Sequence, residues 1–424
     1  MSGAGGAGGA GGAGVRRVLV AGGGIAGPVT AMALRAAGLE PVVYEAYPAG
    51  ADRVGAFLTV FANGMDALRA IGADGPVVAA SFPTDRVEFF TGTGRRLGGK
   101  RIGGDGAHGP EDGAPRTLRR ADLYRALRDE AARRGVRIEY GRRLTAVRTP
   151  PGGVVAVFED GTEAEGDLLV GADGVHSVTR TLIAPTARRP RRLGTATVCG
   201  HTRAAPVTAP PGTFRMLYGG RAFAAYLTAP DGETWWFVNL PLPRSGRDGD
   251  GPAARSPARW REAAIASVAG DRTPAADLVR ATAEEDVVAF TAHDLGPPPL
   301  PRWSAGPLVV VGDAAHAASP NAGHGASMAM EDGVQLARCL RDLPDVPRAL
   351  AAYERLRRER VTRLVETSAA MSRRATPGPV GRVLRDLALP LLLRHGPRNA
   401  SAWLTDHHID WDAPVDAPAP SGAA

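Results

Sequence analysis

The chain has 424 residues, 44% of them hydrophobic and 22% charged, an ordinary globular composition with length for two or three domains and a large core. Its two cysteines, Cys199 and Cys339, lie far apart and fit no metal-ligand spacing, which excludes a disulfide scaffold and predicts no metal site. The net charge of +7 raises nucleic-acid binding, yet basic residues are scattered among acids, Lys100 is the only lysine, and no nucleic-acid partner is expected.

Residues 1–14 are a Gly/Ala repeat without the basic and leucine-rich regions of a signal peptide, and read as a disordered tail. An apolar strand is predicted over 15–20, an alanine-rich helix over 28–37 stopped by Gly38, and a second apolar strand over 41–44. This is a βαβ unit of a covered parallel sheet. A helix over 121–134, with Leu123, Leu127 and Ala131 four apart, leads into a strand over 136–140. Strand 154–158, the turn Asp160-Gly161 and a return into 167–170 form a β excursion. Residues 195–240 differ in character: strands at 221–228 and 234–240 flank Asp231-Gly232, and Phe214, Tyr218, Phe223, Tyr226, Trp235, Trp236 and Phe237 crowd into a chain only 5% aromatic. A separate antiparallel sheet is expected there. A polar loop follows at 244–259, then helix over 260–284, a buried strand at 308–311, a long helix at 325–340 and a charged amphipathic helix at 349–372. The Pro- and Ala-rich end from 412 reads as a disordered tail. No apolar run reaches the ~18–20 residues of a spanning helix; the nearest, 387–393, contains Pro390, and a soluble cytoplasmic protein without membrane partner is expected.

Gly22, Gly24 and Gly27 give the G-x-G-x-x-G spacing after an apolar strand and before a helix. The first glycine serves a tight turn, the second a close backbone approach to pyrophosphate, the third close helix–strand packing; Ile25 and Ala26 lie between them in the candidate cofactor loop, and the N–H groups at the start of the helix that follows suit phosphate. Glu45 ends the next strand, where an acid accepts hydrogen bonds from ribose hydroxyls. The loop alone leaves FAD and NAD open. Two distant segments bear on the choice: 168–180 ends a strand in Gly171-Ala172-Asp173-Gly174 and continues to Arg180, and 309–316 ends another in Gly312-Asp313-Ala314-Ala315-His316, running on through Pro320, Gly323, Gly325, Glu331 and Asp332.

These three motifs, in this order, resemble the FAD-dependent aromatic hydroxylases of the para-hydroxybenzoate hydroxylase type, over roughly 15–370. The resemblance implies an α/β fold: a Rossmann-type FAD-binding domain with a parallel sheet (15–80, 117–184 and 290–348), an antiparallel β-sheet substrate domain (81–116 and 185–289), C-terminal helices (349–411) and a tail (412–424). It implies FAD as cofactor, NAD(P)H and O2 as co-substrates, and oxygen transfer to an aromatic or polycyclic small molecule from a C4a-hydroperoxyflavin, by hydroxylation or epoxidation in secondary metabolism such as antibiotic biosynthesis. By residue, it assigns Gly22, Gly24 and Gly27 to the pyrophosphate, Glu45 to the adenosine ribose and Arg120 to the phosphates. Asp173 and Arg180 belong to the motif associated with both nucleotides, while Gly312 and Asp313 face the ribityl chain. Gly323, Gly325 and Ala326 open a helix toward the flavin N1/C2-carbonyl edge, and Pro320 and His324 face the flavin, His324 standing where the family has Gln.

The aromatic sheet suits a flat ligand, and His201, Arg203, Arg215, Tyr218 and Tyr226 are its candidate polar contacts; no catalytic base is assigned. A flavin-dependent halogenase is a weaker reading, since Trp236, Leu240 and Pro241 echo that class but Val238 stands at its second tryptophan. A redox-inactive FAD-binding chaperone or sensor is another, and a dehydrogenase lacks a second nucleotide loop. Monomer and homodimer stay open.

Overall fold

The computed structural model describes residues 14–48, 57–102, 114–242, 256–374, 379–395 and 402–416. The strand predicted near the N-terminus forms at Arg17–Ala21 and pairs in parallel with both Glu40–Glu45 and Leu168–Gly171. Arg137–Tyr140 extends one side and Leu308–Val310 the other, again in parallel, with the short antiparallel Ser304–Ala305 at the edge. Val18, Val20, Val43, Leu168, Leu169, Val170 and Val309 have no more than 1% of their surface exposed. The near-continuous apolar runs are thus explained: helices cover one face of the parallel sheet, and the small antiparallel sheet Leu144–Arg148, Val154–Phe158 and Glu163–Gly166 packs on the other, with Phe158 4.7 Å from Tyr44. Ala26–Ala36 and Gly325–Asp342 pack together on one face.

Strand order decides where chemistry can occur. Ala172 N–H donates to Ala21 O (2.8 Å) and Val311 N–H to Gly171 O (3.0 Å), so the chain leaves three neighbouring strands at one carboxyl edge. The glycine loop, the Asp173 turn and Gly312-Asp313 all follow from that edge, where open α/β sheets bind ligands.

The second layer is a seven-stranded sheet, ordered Val288–Asp294, Arg191–Thr202, Thr234–Pro241, Phe223–Thr228, Thr213–Tyr218, Arg86–Thr91, Arg96–Arg101. It is antiparallel except where Thr213–Tyr218 runs parallel to Arg86–Thr91. Strand alternation sorts its aromatics. Trp236 and Val238 pair with Tyr226 and Ala224 and face the helices Pro257–Val268 and Ala275–Arg280, sharing a core with Trp260 and Leu278. Trp235, Phe237 and Asn239 point the other way, with Phe223, Thr197 and His201 beside them. On that side Phe57, from the strand Phe57–Val60, lies 5.6 Å from Trp235 and 6.2 Å from Phe237.

The helix expected over 260–284 is broken: Pro257–Val268 and Ala275–Arg280 are separate, because Gly270 and Pro274 stand between them. Most of the expected 244–259 loop, and residues 1–13, lie outside the described residues. The end of the chain differs from the expected tail. Ile409 and Val415 are buried, Ile409 N–H donates to Asp66 (2.9 Å) and Val415 N–H to Asp342 (3.0 Å), so the chain to Asp416 packs on the first layer. Two scattered apolar side chains anchor this segment without any helical or strand period.

Candidate functional site

The glycine loop is shaped by its own packing. Gly22 has φ +110°, and a Cβ there would stand 2.3 Å from Ala172 O; at Gly27 a Cβ would stand 1.9 Å from Gly22 O. Neither position admits a side chain. Gly24 is different, because a Cβ there would meet nothing within 4 Å. Packing among the described residues does not demand a glycine at Gly24, and its backbone is open to the approach of a ligand. Glu45, 7% exposed, accepts from Gly23 N–H (2.6 Å) on one oxygen and Tyr47 N–H (2.9 Å) on the other. It therefore fixes the loop, and each oxygen keeps a second lone pair.

The helices at this edge divide by their caps. Val178–Ile183 is capped, with Ser177 Oγ accepting from Arg180 N–H (2.8 Å). The helices that begin at Ala26, Asp313 and Gly325 have no side-chain cap; Ile25, Gly312 and His324 stand at their N-cap positions. Orphan N–H groups at a helix start are ready donors to an anionic ligand. Asp313 is exposed; its carboxylate has no hydrogen-bond or ion-pair partner among the described residues and lies 3.9 Å from the position of a Cβ on Gly325. Ala326 follows in the first turn of that helix. Pro320, exposed, starts the 3-10 turn Pro320–Ala322, and Gly323 N–H donates to Pro320 O (2.9 Å).

His324 is buried and stacks on Phe61, ring centroids 3.8 Å apart. Its Nδ1 lies 2.5 Å from Ala322 O, as an N–H donor to that carbonyl, and its Nε2 is buried without a partner among the described residues. Burial pushes its pKa down to about 4, against the smaller opposing effect of the Ala322 carbonyl. The neutral ring is the stable form in the folded protein. A depressed histidine pKa gives stability that is complete above about pH 6.5 and lost as pH falls toward 4. His324→Gln should abolish about 2–3 kcal/mol of the wild type's stability loss between pH 7 and pH 4.5. Urea melts of both proteins at the two pH values measure it, and equal losses would refute it.

Other expected ligands are held by the protein. Asp173 accepts from Ser177 Oγ (2.5 Å), Thr179 N–H (3.0 Å) and Thr179 Oγ1 (3.1 Å), so it anchors the short helix after its strand. Arg180 is buried, donating to Val175 O (2.7 Å) and Ala314 O (3.2 Å), and ties the second motif to the third. Arg120 donates to Tyr124 OH (2.7 Å) and lies over that ring.

Beneath the Gly312 turn lies an ion network that the sequence reading did not anticipate. Asp332 accepts from Gly312 N–H (2.8 Å), bonds His316 Nε2 (2.6 Å) and accepts from Arg357 Nε (2.8 Å). Glu331 pairs with Arg357, with Arg360 (2.7 Å) and with Asn63 Nδ2 (2.6 Å). Glu331 and Asp332 are fully buried. Burial alone would raise the Glu331 carboxyl, but Arg357 and Arg360 override it and hold it at about 2.

The five substrate candidates separate by strand face. Tyr226 and Arg215 share the helix-covered face, with Arg215 donating to Tyr226 OH (3.1 Å). Arg203 is exposed and pairs with Asp231 at the hairpin. His201 and Tyr218 are on the face toward the first layer. His201 Nδ1 is 3.1 Å from Glu233, which also takes Arg119 (2.5 Å) and Trp235 Nε1 (2.6 Å). The centre of this face carries the half-buried Thr197, Met216, Tyr218, Phe223, Phe237, Asn239 and Phe290, an uncharged and largely aromatic wall. Strand Phe57–Val60 joins wall to sheet edge: Phe57 touches Phe237, and Phe61 just beyond stacks on His324. Asn239, whose Oδ1 accepts from Thr197 Oγ1 (2.8 Å), was not among the expected contacts. Alternation could have paired it with Phe237, but not told which face meets the first layer.

An FAD fits this arrangement: open Gly24, three uncapped helix starts, and an unpaired Asp313 line one edge. Comparison with known proteins agrees. The FAD binding domain family matches residues 16–368. Aurachin C monooxygenase/isomerase of Stigmatella aurantiaca is 32% identical over 83% of this chain and 87% of its own. The FAD-dependent urate hydroxylase of Klebsiella pneumoniae is 28% identical over 82% of this chain and 88% of its own. The crystal structure of Klebsiella pneumoniae HpxO with FAD and uric acid superposes with a TM-score of 0.77 at 26% identity, covering 89% of this chain and 93% of that one. An extended match and a shared fold of this kind make the chain a member of the FAD binding domain family, among FAD-dependent monooxygenases that act on aromatic and polycyclic compounds.

Proposed function

We propose that the chain uses NAD(P)H and O2 to hydroxylate or epoxidise a neutral, flat, largely apolar aromatic or polycyclic molecule. The carrying observation is the uncharged aromatic wall of Met216, Tyr218, Phe223, Phe237 and Phe290 opposite the edge that binds the cofactor. FAD supplies the oxygen-activating chemistry when bound. Gly22, Gly24, Gly27, Ile25 and Ala26 would hold its pyrophosphate, Glu45 and Asp313 its ribose and ribityl hydroxyls, and the N-terminus at Gly325 and Ala326 its anionic ring edge. His324 stays neutral at pH 7 and supports that edge by packing, without adding charge. The wall orients the substrate and excludes water by offering aromatic faces at 5.3–6.2 Å from one another. Asn239 Nδ2, with its oxygen engaged by Thr197, would donate to a substrate carbonyl or hydroxyl.

The test is a screen of neutral polycyclic aromatics for compounds that accelerate NAD(P)H oxidation by the FAD-loaded protein, with oxygenated product identified by mass spectrometry. For an active compound, Phe237→Ala should raise KM about 10- to 100-fold, from roughly 1.5–3 kcal/mol of lost aromatic burial, with flavin content unchanged. Tyr226→Phe, on the opposite face, should leave KM unaltered. If no compound gives oxygenated product, the proposal fails.

A further inference from the structure

Helix Pro379–His395 presents an apolar stripe that no described residue covers. Val383, Leu384, Leu387, Leu391 and Leu392 recur on one helical face and are 60–64% exposed. Together they leave an apolar area on the order of 500 Å², the size of patch that marks an interaction surface. The helix is nonetheless fixed. Pro390 removes the N–H that would bond Asp386 O, and Arg95 Nη2 donates to that freed carbonyl at 3.1 Å. Arg382 bonds Gly220 O, and Leu393 lies against Gly98. Arg385 stacks over Tyr218 at 4.4 Å, so the helix borders the aromatic wall.

We infer that this stripe docks on an anionic lipid surface. Arg382 and Arg385 are held inward by Gly220 O and the Tyr218 ring, but Arg394 is exposed on the helix, Arg95 and Lys100 are exposed on and beside the strand Arg96–Arg101 that packs against it, and Asp386 is the helix's single acid. Leucines outward with cations around them are the pattern of a helix lying in a membrane interface, where burial and attraction to anionic headgroups add. A second copy of the chain is a poorer occupant: about 500 Å² per partner falls short of the roughly 800 Å² that a specific dimer buries on each side. The helix has 17 residues, and no described helix is long and apolar enough to cross a membrane. Docking is therefore peripheral, and the absence of a spanning segment from the sequence does not bear on it. The docked helix would bring the lipid phase beside Tyr218, from which an apolar substrate could enter. The docking itself holds whether or not the proposed substrate class is right.

The experiment is co-sedimentation of the FAD-loaded full chain with vesicles of phosphatidylcholine alone and of phosphatidylcholine with 30% phosphatidylglycerol, a fraction on the order of that at which anionic headgroups attract basic segments. Binding is expected to the anionic vesicles and to weaken at high salt. The triple variant Leu384→Glu/Leu387→Glu/Leu391→Glu should lose at least about tenfold in partitioning while retaining wild-type flavin content and circular dichroism. Equal partitioning of variant and wild type, or none by either, overturns the inference. So does a stripe-dependent dimer seen by light scattering without vesicles, which would assign the face to a second copy.

Discussion

Asp313→Ala is expected to purify with about a tenth or less of the wild-type flavin content while keeping its secondary structure. The carboxylate stands at the carboxyl edge of the sheet, exposed, without a partner among the described residues, and beside the uncapped start of the Gly325 helix. Its removal breaks no bond among the described residues. It deletes a charged acceptor for the cofactor's hydroxyls; hydrogen bonds to charged groups contribute about 1.5–3 kcal/mol, roughly 10- to 100-fold in Kd. Asp173→Ala is the informative contrast. That carboxylate already serves Ser177 and Thr179, so its loss should lower thermal stability first and flavin content second. Flavin absorbance per protein, with melting curves of both variants, separates the two. Full flavin occupancy in Asp313→Ala would remove Asp313 from the cofactor site.

Local periodicity and punctuation made the first layer legible. The strand–glycine–helix run, the acid at Glu45 and the strand end at Gly312-Asp313 are each written within a few residues, and the three meet at one edge because their strands are neighbours. What the sequence hid depends on separation and on face. The resemblance assigned Arg180 and Asp173 to the nucleotides, but nothing local showed that Arg180 also donates to a backbone carbonyl 134 residues away or that Asp173 also holds Ser177 and Thr179 at the start of the next helix. Polar type suggested Arg215 and Tyr226 as substrate contacts. Their strand register turns both toward Trp236 and the covering helices, while the apolar Phe223 and Phe237 take the open face. A one-residue step along a strand reverses the side chain, and nothing local says which side meets the other layer. The tail to Asp416 was misread for a related reason, since Ile409 and Val415 bury singly against distant partners and leave no pattern to detect.

Arg357→Met should be the most destabilising of the single changes considered, by about 3–5 kcal/mol, because it leaves two buried carboxylates without their shared cation. Arg357 is 1% exposed and bonds both Glu331 and Asp332, themselves fully buried, across two helices. Asp332 in turn holds Gly312 N–H and His316, so the loop that presents Asp313 should loosen and flavin be lost with stability. The pH dependence identifies the cause. In the wild type Glu331 is held at about 2 in the fold, so the stability it contributes is complete above about pH 4.5 and lost as pH falls toward 2. Without Arg357, Arg360 and His316 alone oppose burial, so the carboxyl pKa values lie above their wild-type positions and protonation destabilises the variant less than the wild type as pH falls. The gap between wild type and Arg357→Met should therefore be narrower at about pH 4 than at about pH 7.5. The triple variant Arg357→Met/Glu331→Gln/Asp332→Asn should recover part of the loss at pH 7.5, since neutral amides tolerate burial better than unpaired charges. Urea unfolding at the two pH values measures all three proteins. A pH-independent gap, or no recovery in the triple variant, would show that Arg357 acts by packing volume and not by neutralising the carboxylates beneath the cofactor loop.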